Sequence, residues 1–456
     1  MFINKIIERF HNSKAAKFLS DSFLFENIDD ISFVLLAATI ISTAFMPSGT
    51  IGLLASVFVL SCVFKMFAKK GEATELSFLN KVLIVYFLFV IVSLFGASLF
   101  VLSLKGILKT AIYLAFYFAA VYFLSTNKKR IIPVMLIIAG IISFEGITAI
   151  MQNISHIEAI ATWQDTSNVS DSTKIISRAY GTLKPYNPNL LAGWLITGLS
   201  SIVALFGIAV LKKRKKTAIV LCVLFLTTFF AVFATGSRGA YLGLFGFMSV
   251  LLLYALYIIK NRFGGFKKIK TKYKAVFASI IGFCLIVAFF IPSFRERILS
   301  IFSLRKDSSI SFRMNVYEAC YQMFLDNKFL GIGVGNNNFR EIYGLYMKTG
   351  YDALGSYSVP FEIAVESGIF AFLTFFLFIL LVVIRSIKYI SYKSAHPYNR
   401  LMVLSVLLTV SAVMFHGLFD TVFFRPQIQI LFWTYIAIFH AVTIKRAKLT
   451  KLRLLK

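Results

Sequence analysis

Long apolar runs dominate this 456-residue sequence and constrain its fold more than any other feature. A helix needs about 20 apolar residues to cross the ~30 Å hydrocarbon core of a bilayer, and about 17 still suffice. Because 58% of the residues are hydrophobic, one soluble core could not bury them all. The sequence therefore predicts an all-α, polytopic integral membrane protein with about 12 transmembrane helices. The twelve segments lie near residues 31–48, 51–68, 80–101, 106–125, 131–152, 190–211, 217–235, 240–259, 275–293, 361–384, 401–419 and 427–444.

Basic residues are concentrated in alternate loops. If the N-terminus is cytoplasmic, the inner loops 212–216, 260–274 and 385–400 and the tail from 445 carry 5, 7, 4 and 6 basic residues and no acidic one. Cytoplasmic loops of membrane proteins hold such an excess of Lys and Arg. The net charge of +28 is therefore a signal of topology rather than of a nucleic-acid partner.

This topology predicts three parts of the chain. They are a cytoplasmic N-terminal segment (1–30), a membrane domain (31–444) with outer loops 153–189 and 294–360, and a basic cytoplasmic tail (445–456). No short apolar stretch with a small-residue cleavage site precedes Ile31, so we do not expect a cleaved signal peptide. Both termini are expected in the cytoplasm.

The second outer loop has the periodicity of a helix. Its apolar residues recur at three-to-four spacing and predict an amphipathic helix on the outer membrane surface. The helix should end at Asp326-Asn327, before the turn sequence GIGVG at 331–335. The residues that carry the pattern are Met314, Val316, Tyr317, Cys320, Met323 and Phe324.

Cysteine and glycine patterns do not indicate a bound cofactor. Cys62, Cys222, Cys284 and Cys320 show no paired spacing. The sequence contains no metal-ligand spacing, no phosphate-binding glycine loop on the cytoplasmic side and no nucleophile elbow. We therefore expect no disulfide framework, no metal and no cofactor.

Arg238 stands in a glycine-rich turn, TGSRGAYLGL (235–244), between two predicted spans on the outer side. A charged side chain at the bilayer centre costs about 2.5–3.5 kcal/mol, so an arginine next to a membrane span is expected to have a binding partner or a function. Its planar guanidinium suits a phosphate near the lipid headgroups. The alternative is an arginine whose side chain extends to lipid phosphate.

Further polar residues converge on the same predicted face. Arg178 and Arg313 reach it from the two outer loops, where Arg313 could instead serve as a helix cap or pair with Glu318. Asn187 and Asn189 stand at the entry to a span, where they could bind sugar hydroxyls or cap the helix.

His416 and Asp420 occur in the sequence FHGLFD. Their spacing of four places both on one face of a helix, if the helix continues that far. His416 could bind substrate, or the two side chains could be a buried pair whose members satisfy each other.

Taken together in chain order, several segments resemble the O-antigen ligase and O-antigen polymerase superfamily of bacterial membrane glycosyltransferases. The resemblance covers roughly residues 176–440. The segments are RAYGTLKPYNPNLLAG, TGSRGAYLGL, the R-x-x-x-Y-E run at 313–318 that leads into GIGVGNNNF, EIAVESGIFAF at 362–372, and FHGLFD followed by ILFW.

The resemblance implies transfer of an oligosaccharide from polyprenyl diphosphate, such as undecaprenyl diphosphate, to a hydroxyl of a glycan or lipid-linked acceptor. It implies a metal-independent reaction at the outer face of the bacterial cytoplasmic (inner) membrane, among membrane lipids and other polysaccharide assembly proteins. By resemblance, Arg238 and Arg313 neutralise the diphosphate. Arg178, Asn187, Asn189, Glu366 and His416 are the expected substrate-binding residues.

The sequence departs from the family pattern at one place. Where ligases of the family show a His shortly before the E-x-G motif, this chain has Tyr357-Ser358. A tyrosine with an ordinary pKa of about 10 is a poor general base near neutral pH unless a cation lowers that pKa. Tyr357 is therefore a catalytic or positioning candidate, and Glu362, Asp352 or His156 could take the proton instead.

A polymerase is the favoured function, and three alternatives to it remain open. The departure at Tyr357 favours a polymerase of surface polysaccharide, and the close alternative is a ligase that transfers glycan to lipid A core or to another acceptor. A transporter or flippase would also use about a dozen spans, but it typically shows internal repeats and buried charges near the midplane. A purely structural membrane protein is the third possibility.

Overall fold

The computed structural model describes residues 22–68, 77–155, 178–263, 308–392 and 394–443. These parts are helices joined by turns and loops. Among the described residues, ten helices are long and apolar enough to cross a membrane, which confirms the all-α polytopic class. In chain order the α-helices are α1 (Phe23–Glu26), α2 (Ile28–Phe45), α3 (Ser48–Ala68), α4 (Phe78–Val92), α5 (Phe100–Thr126), α6 (Ile131–Ile154), α7 (Pro188–Leu211), α8 (Lys215–Ala234), α9 (Arg238–Phe263), α10 (Ser308–Asp326), α11 (Asn336–Tyr343), α12 (Val359–Ser391), α13 (Pro397–Gly417) and α14 (Pro426–Thr443).

The ten apolar helices match ten of the twelve predicted spans. The predicted last span corresponds to α14, which is buried along almost its whole length inside the bundle. The predicted span at 275–293 and the predicted tail at 445–456 lie outside the described residues, as do residues 1–21 of the predicted N-terminal segment at 1–30.

The boundary between the third and fourth predicted spans, at 101–106, was wrong. The chain leaves α4 through a short 3-10 helix (Ser93–Gly96), and α5 already begins at Phe100. Gly96 packs against the turn at 330–331, where a Cβ on Gly96 would lie 2.6 Å from the carbonyl oxygen of Gly331. Hydropathy does not reveal this break because the contact that requires it comes from a distant part of the sequence.

Helices α7, α13 and α14 form the centre of the bundle. The hydroxyls of Ser200 and Thr409 are 2.6 Å apart, and those of Ser201 and Tyr435 are also 2.6 Å apart. These side chains hydrogen-bond within an apolar interior, where an unpaired hydroxyl is costly. Polar contacts between helices thus fix the relative positions of the central three.

Helices α7 and α13 run antiparallel, which separates two ends of the bundle. Lys212, after α7, lies over the ring of Tyr398 at the start of α13, with its ammonium 5.4 Å from the ring centre. At the opposite end, Gly193 near the start of α7 packs against His416 near the end of α13. We call the first the basic end and the second the site end.

Helix α10 confirms the predicted amphipathic helix and ends at Asp326, as expected. Its apolar face is buried in a small core that also includes Phe339 and Tyr343 of α11. The residues of α10 that contribute to this core are Val316, Ala319, Cys320 and Met323. Helices α10 and α11 thus share a core, and α10 packs beside α12.

Candidate functional site

Asp420 follows the end of α13 and lies at the centre of a polar cluster. Its Oδ2 is 3.8 Å from Nη2 of Arg313 and accepts a hydrogen bond from Nδ2 of Asn189 at 3.1 Å. Its Oδ1 accepts a hydrogen bond from the backbone N–H of Val422 at 3.1 Å. Because only 5% of Asp420 is exposed, its charge depends on these partners. We call Arg178, Asn189, Arg313 and Asp420 the arginine cluster.

The two asparagines at the start of α7 have different roles. The side chain of Asn187 accepts hydrogen bonds from the backbone N–H groups of Asn189 and Leu190, so it caps the helix. The side chain of Asn189 instead joins two charged groups, because it accepts from Nη2 of Arg178 at 2.7 Å and donates to Asp420. The capping alternative therefore describes Asn187, whereas Asn189 belongs to the cluster.

Arg178 is held in place by backbone and side-chain contacts. Its Nε donates to the carbonyl oxygen of Thr235 at 2.8 Å, just before the turn that carries Arg238. The chain after Arg178 is anchored on α6, where Gln152 Oε1 accepts from the N–H of Gly181 at 2.8 Å and Glu145 accepts from the N–H of Thr182 at 3.0 Å. Helix α6 thus positions one arginine of the cluster.

Arg238 is the first residue of α9, and Gly236 turns the chain into that helix with a φ of 63°. The next residue, Gly239, packs against the ring of His416, where a Cβ would lie 2.8 Å from Cδ2. Arg238 is therefore held at the site end, next to the end of α13 that carries Asp420.

His416 and Asp420 do not share a helical face, because α13 ends at Gly417. The helix does not continue to Asp420, as the predicted shared face would require. The Asp420 carboxylate accepts the Val422 N–H in a local turn that competes with helix formation.

The His416 ring is enclosed between helices. A Cβ on Gly193 would lie 2.9 Å from its Cε1, and Nε2 has no hydrogen-bond partner among the described residues. The adjoining space is about 10 Å³, so the ring has no room to bind a sugar directly.

Tyr357 lies beside Arg313 in the loop before α12. The guanidinium carbon of Arg313 is 5.7 Å from the centre of the Tyr357 ring, and Tyr317 donates to the Tyr357 carbonyl oxygen at 3.1 Å. Burial raises the pKa of Tyr357, the Asp420 carboxylate raises it further, and Arg313 opposes the shift without reversing it. Tyr357 is therefore a neutral phenol near neutral pH.

Helix α12 breaks at Gly368, which has a φ of 75°, and the GIGVG turn docks on the break. The N–H groups of Ile332 and Gly333 donate to the carbonyl oxygens of Val365 and Glu366, at 2.9 and 3.0 Å. Backbone groups freed by a break in a membrane helix need such partners. The E-x-G motif, which is Glu366-Ser367-Gly368 in this chain, and the GIGVG turn are thus held together by backbone hydrogen bonds.

A cavity of about 240 Å³ lies between α5, α12, α14 and the start of α11. Two carboxylates, Glu362 and Glu366, line it together with Lys105 and Lys109 of α5. Gly355 connects the cavity to the cluster, because a Cβ there would lie 3.5 Å from Glu362 Oε2, Asn336 Nδ2 and Thr421 Oγ1. Thr421 is the residue after Asp420, so the cavity and the arginine cluster adjoin.

Among the described residues, no group of three or more His, Cys, Asp or Glu side chains is arranged to hold a metal ion.

Residues 222–376 match the family model described as O-antigen ligase. This match supports the resemblance of this part of the chain to the O-antigen ligase and polymerase superfamily. It contains Arg238, Arg313, Tyr357 and Glu366, the candidate residues on α9, α10, the loop before α12, and α12. No curated protein resembles the chain closely enough to count as a match.

The matched segment supplies Arg313, one of the four residues of the arginine cluster, and residues on either side of it supply the other three. Arg178, Asn187 and Asn189 precede the matched segment, and His416 and Asp420 follow it. The structure brings Arg178, Asn189 and Arg313 together around Asp420. It places Glu366 in the adjoining cavity and His416 between helices.

Neither Lys105 nor Lys109 of α5 was predicted from the sequence as a site residue, and Asp420 was predicted only as a possible partner of His416. Lys109 lies inside a predicted span, where a charge is expensive, so that rule alone could have identified it. Of the other two predicted proton acceptors, Asp352 forms an exposed ion pair with Arg340 at 2.7 Å, and His156 lies outside the described residues.

Proposed function

We propose that this protein is a glycosyltransferase that transfers an oligosaccharide from polyprenyl diphosphate to a glycan hydroxyl at the outer face of the cytoplasmic membrane. The observation that carries the proposal is the arginine cluster, which gathers residues from three separate segments around one buried carboxylate at the site end. The match of residues 222–376 to the O-antigen ligase family model supports the same class of reaction.

The arginines would act on the leaving group. As the bond between the sugar C1 and the diphosphate oxygen breaks, its electron pair and the growing negative charge go to the diphosphate. Guanidinium groups already held in position stabilise that charge most strongly in the transition state. Asp420 and Asn189 hold Arg313 and Arg178 near each other, and Arg238 reaches the same end from α9.

The acceptor hydroxyl forms the new bond to C1 and gives up its proton. Tyr357 is poorly suited to take that proton because its pKa is raised. We assign the proton to Glu362, which lines the cavity beside the cluster. Its Oε2 accepts hydrogen bonds from the N–H and the hydroxyl of Ser356, at 3.1 and 2.8 Å, and these fix its orientation.

Within this class we favour a polymerase, in which donor and acceptor are both carried on the polyprenyl lipid. The basis is Tyr357, which stands where family ligases carry a His. A ligase that transfers finished glycan to lipid A core or another acceptor is the second candidate, because the matching family model is described as O-antigen ligase.

The test is reconstitution in proteoliposomes with an undecaprenyl-diphosphate oligosaccharide. Wild type should convert the donor, whereas Arg238→Ala and Arg313→Ala should lose about 10²–10³-fold in rate, the usual cost of removing one group that stabilises transition-state charge. Arg340→Ala is the matched control, since this arginine is exposed and pairs with Asp352 instead of with Asp420. Insertion and thermal unfolding are measured for every variant.

The products separate the candidates. Longer glycan on the lipid carrier supports a polymerase, and glycan on a different acceptor supports a ligase. If wild type consumes no donor under conditions where a family relative does, or if the arginine variants match it, the enzyme proposal fails and transport becomes the leading hypothesis.

A further inference from the structure

Glu366 presents an unsatisfied oxygen to the cavity. One carboxylate oxygen accepts a hydrogen bond from the backbone N–H of Gly335, whereas Oε1 has no hydrogen-bond partner among the described residues. Only 6% of the residue is exposed, and the side chain lines the cavity. A buried polar atom left without a partner costs about 1–3 kcal/mol, so an unsatisfied group in a cavity wall calls for an explanation. A ligand hydroxyl would supply the missing donor.

The carboxylates of the cavity oppose a diphosphate. Glu362 and Glu366 both line it, together with Lys105 and Lys109, and the charge of Arg425 also acts on Glu362 and Lys109. Two carboxylates in the wall would repel an anionic ligand. In the adjoining arginine cluster, by contrast, Asp420 is the single carboxylate, which Arg313 faces directly and Arg178 reaches through Asn189. The arginine cluster therefore suits the diphosphate better, and the cavity suits a neutral sugar better.

The rest of the lining suits a sugar ring. Thr110 and Asn336 contribute a hydroxyl and an amide to the lining, in addition to the charged groups, and aromatic rings contribute apolar surface. Sugars present hydroxyls at their edges and C–H groups on their faces, so they match a wall of this mixed kind. The aromatic side chains are Tyr86, Tyr113, Phe375, Phe423, Phe424 and Trp433.

The size and the entrance of the cavity limit what could enter it. At about 240 Å³ the cavity is smaller than the ~300–1,000 Å³ of sites for drug-sized ligands, which suits the terminal sugar of a longer chain. Asn336 and Asn337 line the cavity and are exposed, so it reaches the protein surface there. A glycan could thus place its last sugar inside while the remainder stays outside.

We infer that this cavity is the acceptor subsite, where the terminal sugar of the acceptor glycan hydrogen-bonds to Glu366 and Lys109 with its reacting hydroxyl directed toward the arginine cluster. The inference rests on the proposed function and adds to it the place and the class of the second substrate. Glu366 is a binding residue here, and Glu362, at the junction with the cluster, receives the proton.

The test uses binding alone, so that it is independent of turnover. Wild-type protein in nanodiscs is titrated separately with two probes. One is undecaprenyl diphosphate, and the other is the oligosaccharide released by mild acid from the lipid-linked repeat units of the producing cells. Glu366→Gln should weaken oligosaccharide binding at least about tenfold and leave undecaprenyl diphosphate binding within about twofold, a tenfold change being about 1.4 kcal/mol.

Two further variants protect the test against misfolding. Lys109→Gln alters an exposed side chain of the same cavity, so it should weaken oligosaccharide binding without disturbing the fold. Glu318→Gln makes the same chemical change as Glu366→Gln at an exposed residue that pairs with Lys348 at 2.7 Å, and it should bind both probes as wild type does.

The outcomes also separate this inference from the proposed function. If wild type binds undecaprenyl diphosphate but not the oligosaccharide, or if the cavity variants bind the oligosaccharide normally, the acceptor subsite is overturned while the donor site stands. If the cavity variants weaken both probes equally, the cavity holds the donor and the inference is wrong. If wild type binds neither probe, the proposed function fails together with the inference.

Discussion

Tyr357 shows how the surroundings of one residue decide its chemistry. The sequence left open whether a neighbouring cation makes it a base, and the structure does place Arg313 over its ring. Burial and the Asp420 carboxylate nevertheless outweigh that arginine, so the pKa of Tyr357 is raised. Its φ of 52°, unusual for a residue other than glycine, indicates that the loop holds the ring in a defined place.

We predict that Tyr357→Phe retains at least about a tenth of wild-type activity. With a raised pKa, the phenol stays protonated from about pH 6 to 9, so no tyrosinate forms whose loss could change the pH dependence. The rate of donor consumption by both proteins, measured across that range, should follow the same curve. A basic limb present in wild type and lost in Tyr357→Phe would show that the phenol does act as a base.

The phenol of Tyr317 should make the stability of the protein depend on pH. Burial raises the pKa of Tyr317 to about 12, against an ordinary value of about 10. The folded state therefore favours the protonated phenol, and its stabilisation is complete below about pH 10 and lost as pH rises toward 12. The thermal unfolding midpoint should fall less steeply between about pH 10 and 12 in Tyr317→Phe than in wild type. Equal slopes in the two proteins would contradict this account.

At the scale of elements, the break in α12 organises the site. Gly331, in the turn, approaches the broken helix so closely that a Cβ would lie 2.5 Å from the Glu366 carbonyl oxygen. The N–H of Ile369, just past the break, donates to the Lys328 carbonyl oxygen at 2.8 Å instead of continuing the helix. This docking sets the position of the Glu366 carboxylate at the cavity wall.

Gly368→Ala should destabilise the protein by about 1–3 kcal/mol, the usual cost of an unfavourable backbone conformation. The new Cβ would also lie 2.2 Å from the Phe329 carbonyl oxygen. The matched control is Gly140→Ala within α6, where a Cβ meets nothing within 4 Å and alanine favours the helix. Thermal unfolding in detergent should show a lower midpoint for the first variant and an equal or higher one for the second. Equal midpoints for Gly368→Ala and wild type would contradict the proposed role of the break.

Sequence patterns predicted the helices well and the contacts between them poorly. Apolar length located ten spans, and periodicity located α10, because each of these signals is contained in a continuous stretch of sequence. The ends of α4 and α13 depend on other segments or on a local turn, and hydropathy does not report them. The bridge through Asn189 joins residues 178, 189 and 420, and nothing in their spacing reveals it.

At the scale of the whole molecule, the basic end and the site end lie at opposite ends of the helix bundle. Lys212 and Tyr398 meet at the basic end, whereas Gly193, His416 and Asp420 lie at the site end of the same two antiparallel helices. We propose that the basic end faces the cytoplasm, since Lys and Arg concentrate there, and that the site end faces outward.

Single cysteines in a cysteine-free background test this orientation. A cysteine at the exposed Asn337 should react with a membrane-impermeant maleimide on intact spheroplasts, and one at the exposed Lys216 should react only after permeabilisation. The background replaces Cys62, Cys222, Cys284 and Cys320 with serine. The reverse labelling pattern would place the site in the cytoplasm and remove lipid-linked donors at the outer face from consideration.

The central claim is that the arginine cluster binds the diphosphate of a polyprenyl lipid. The most direct measurement is the affinity of the protein in nanodiscs for undecaprenyl diphosphate, compared between wild type, Arg313→Ala and Arg340→Ala. We expect a loss of at least about tenfold for Arg313→Ala and a change within about twofold for Arg340→Ala, which removes an equal charge from a surface ion pair. Equal affinities for wild type and Arg313→Ala, or equal losses in both variants, would contradict it.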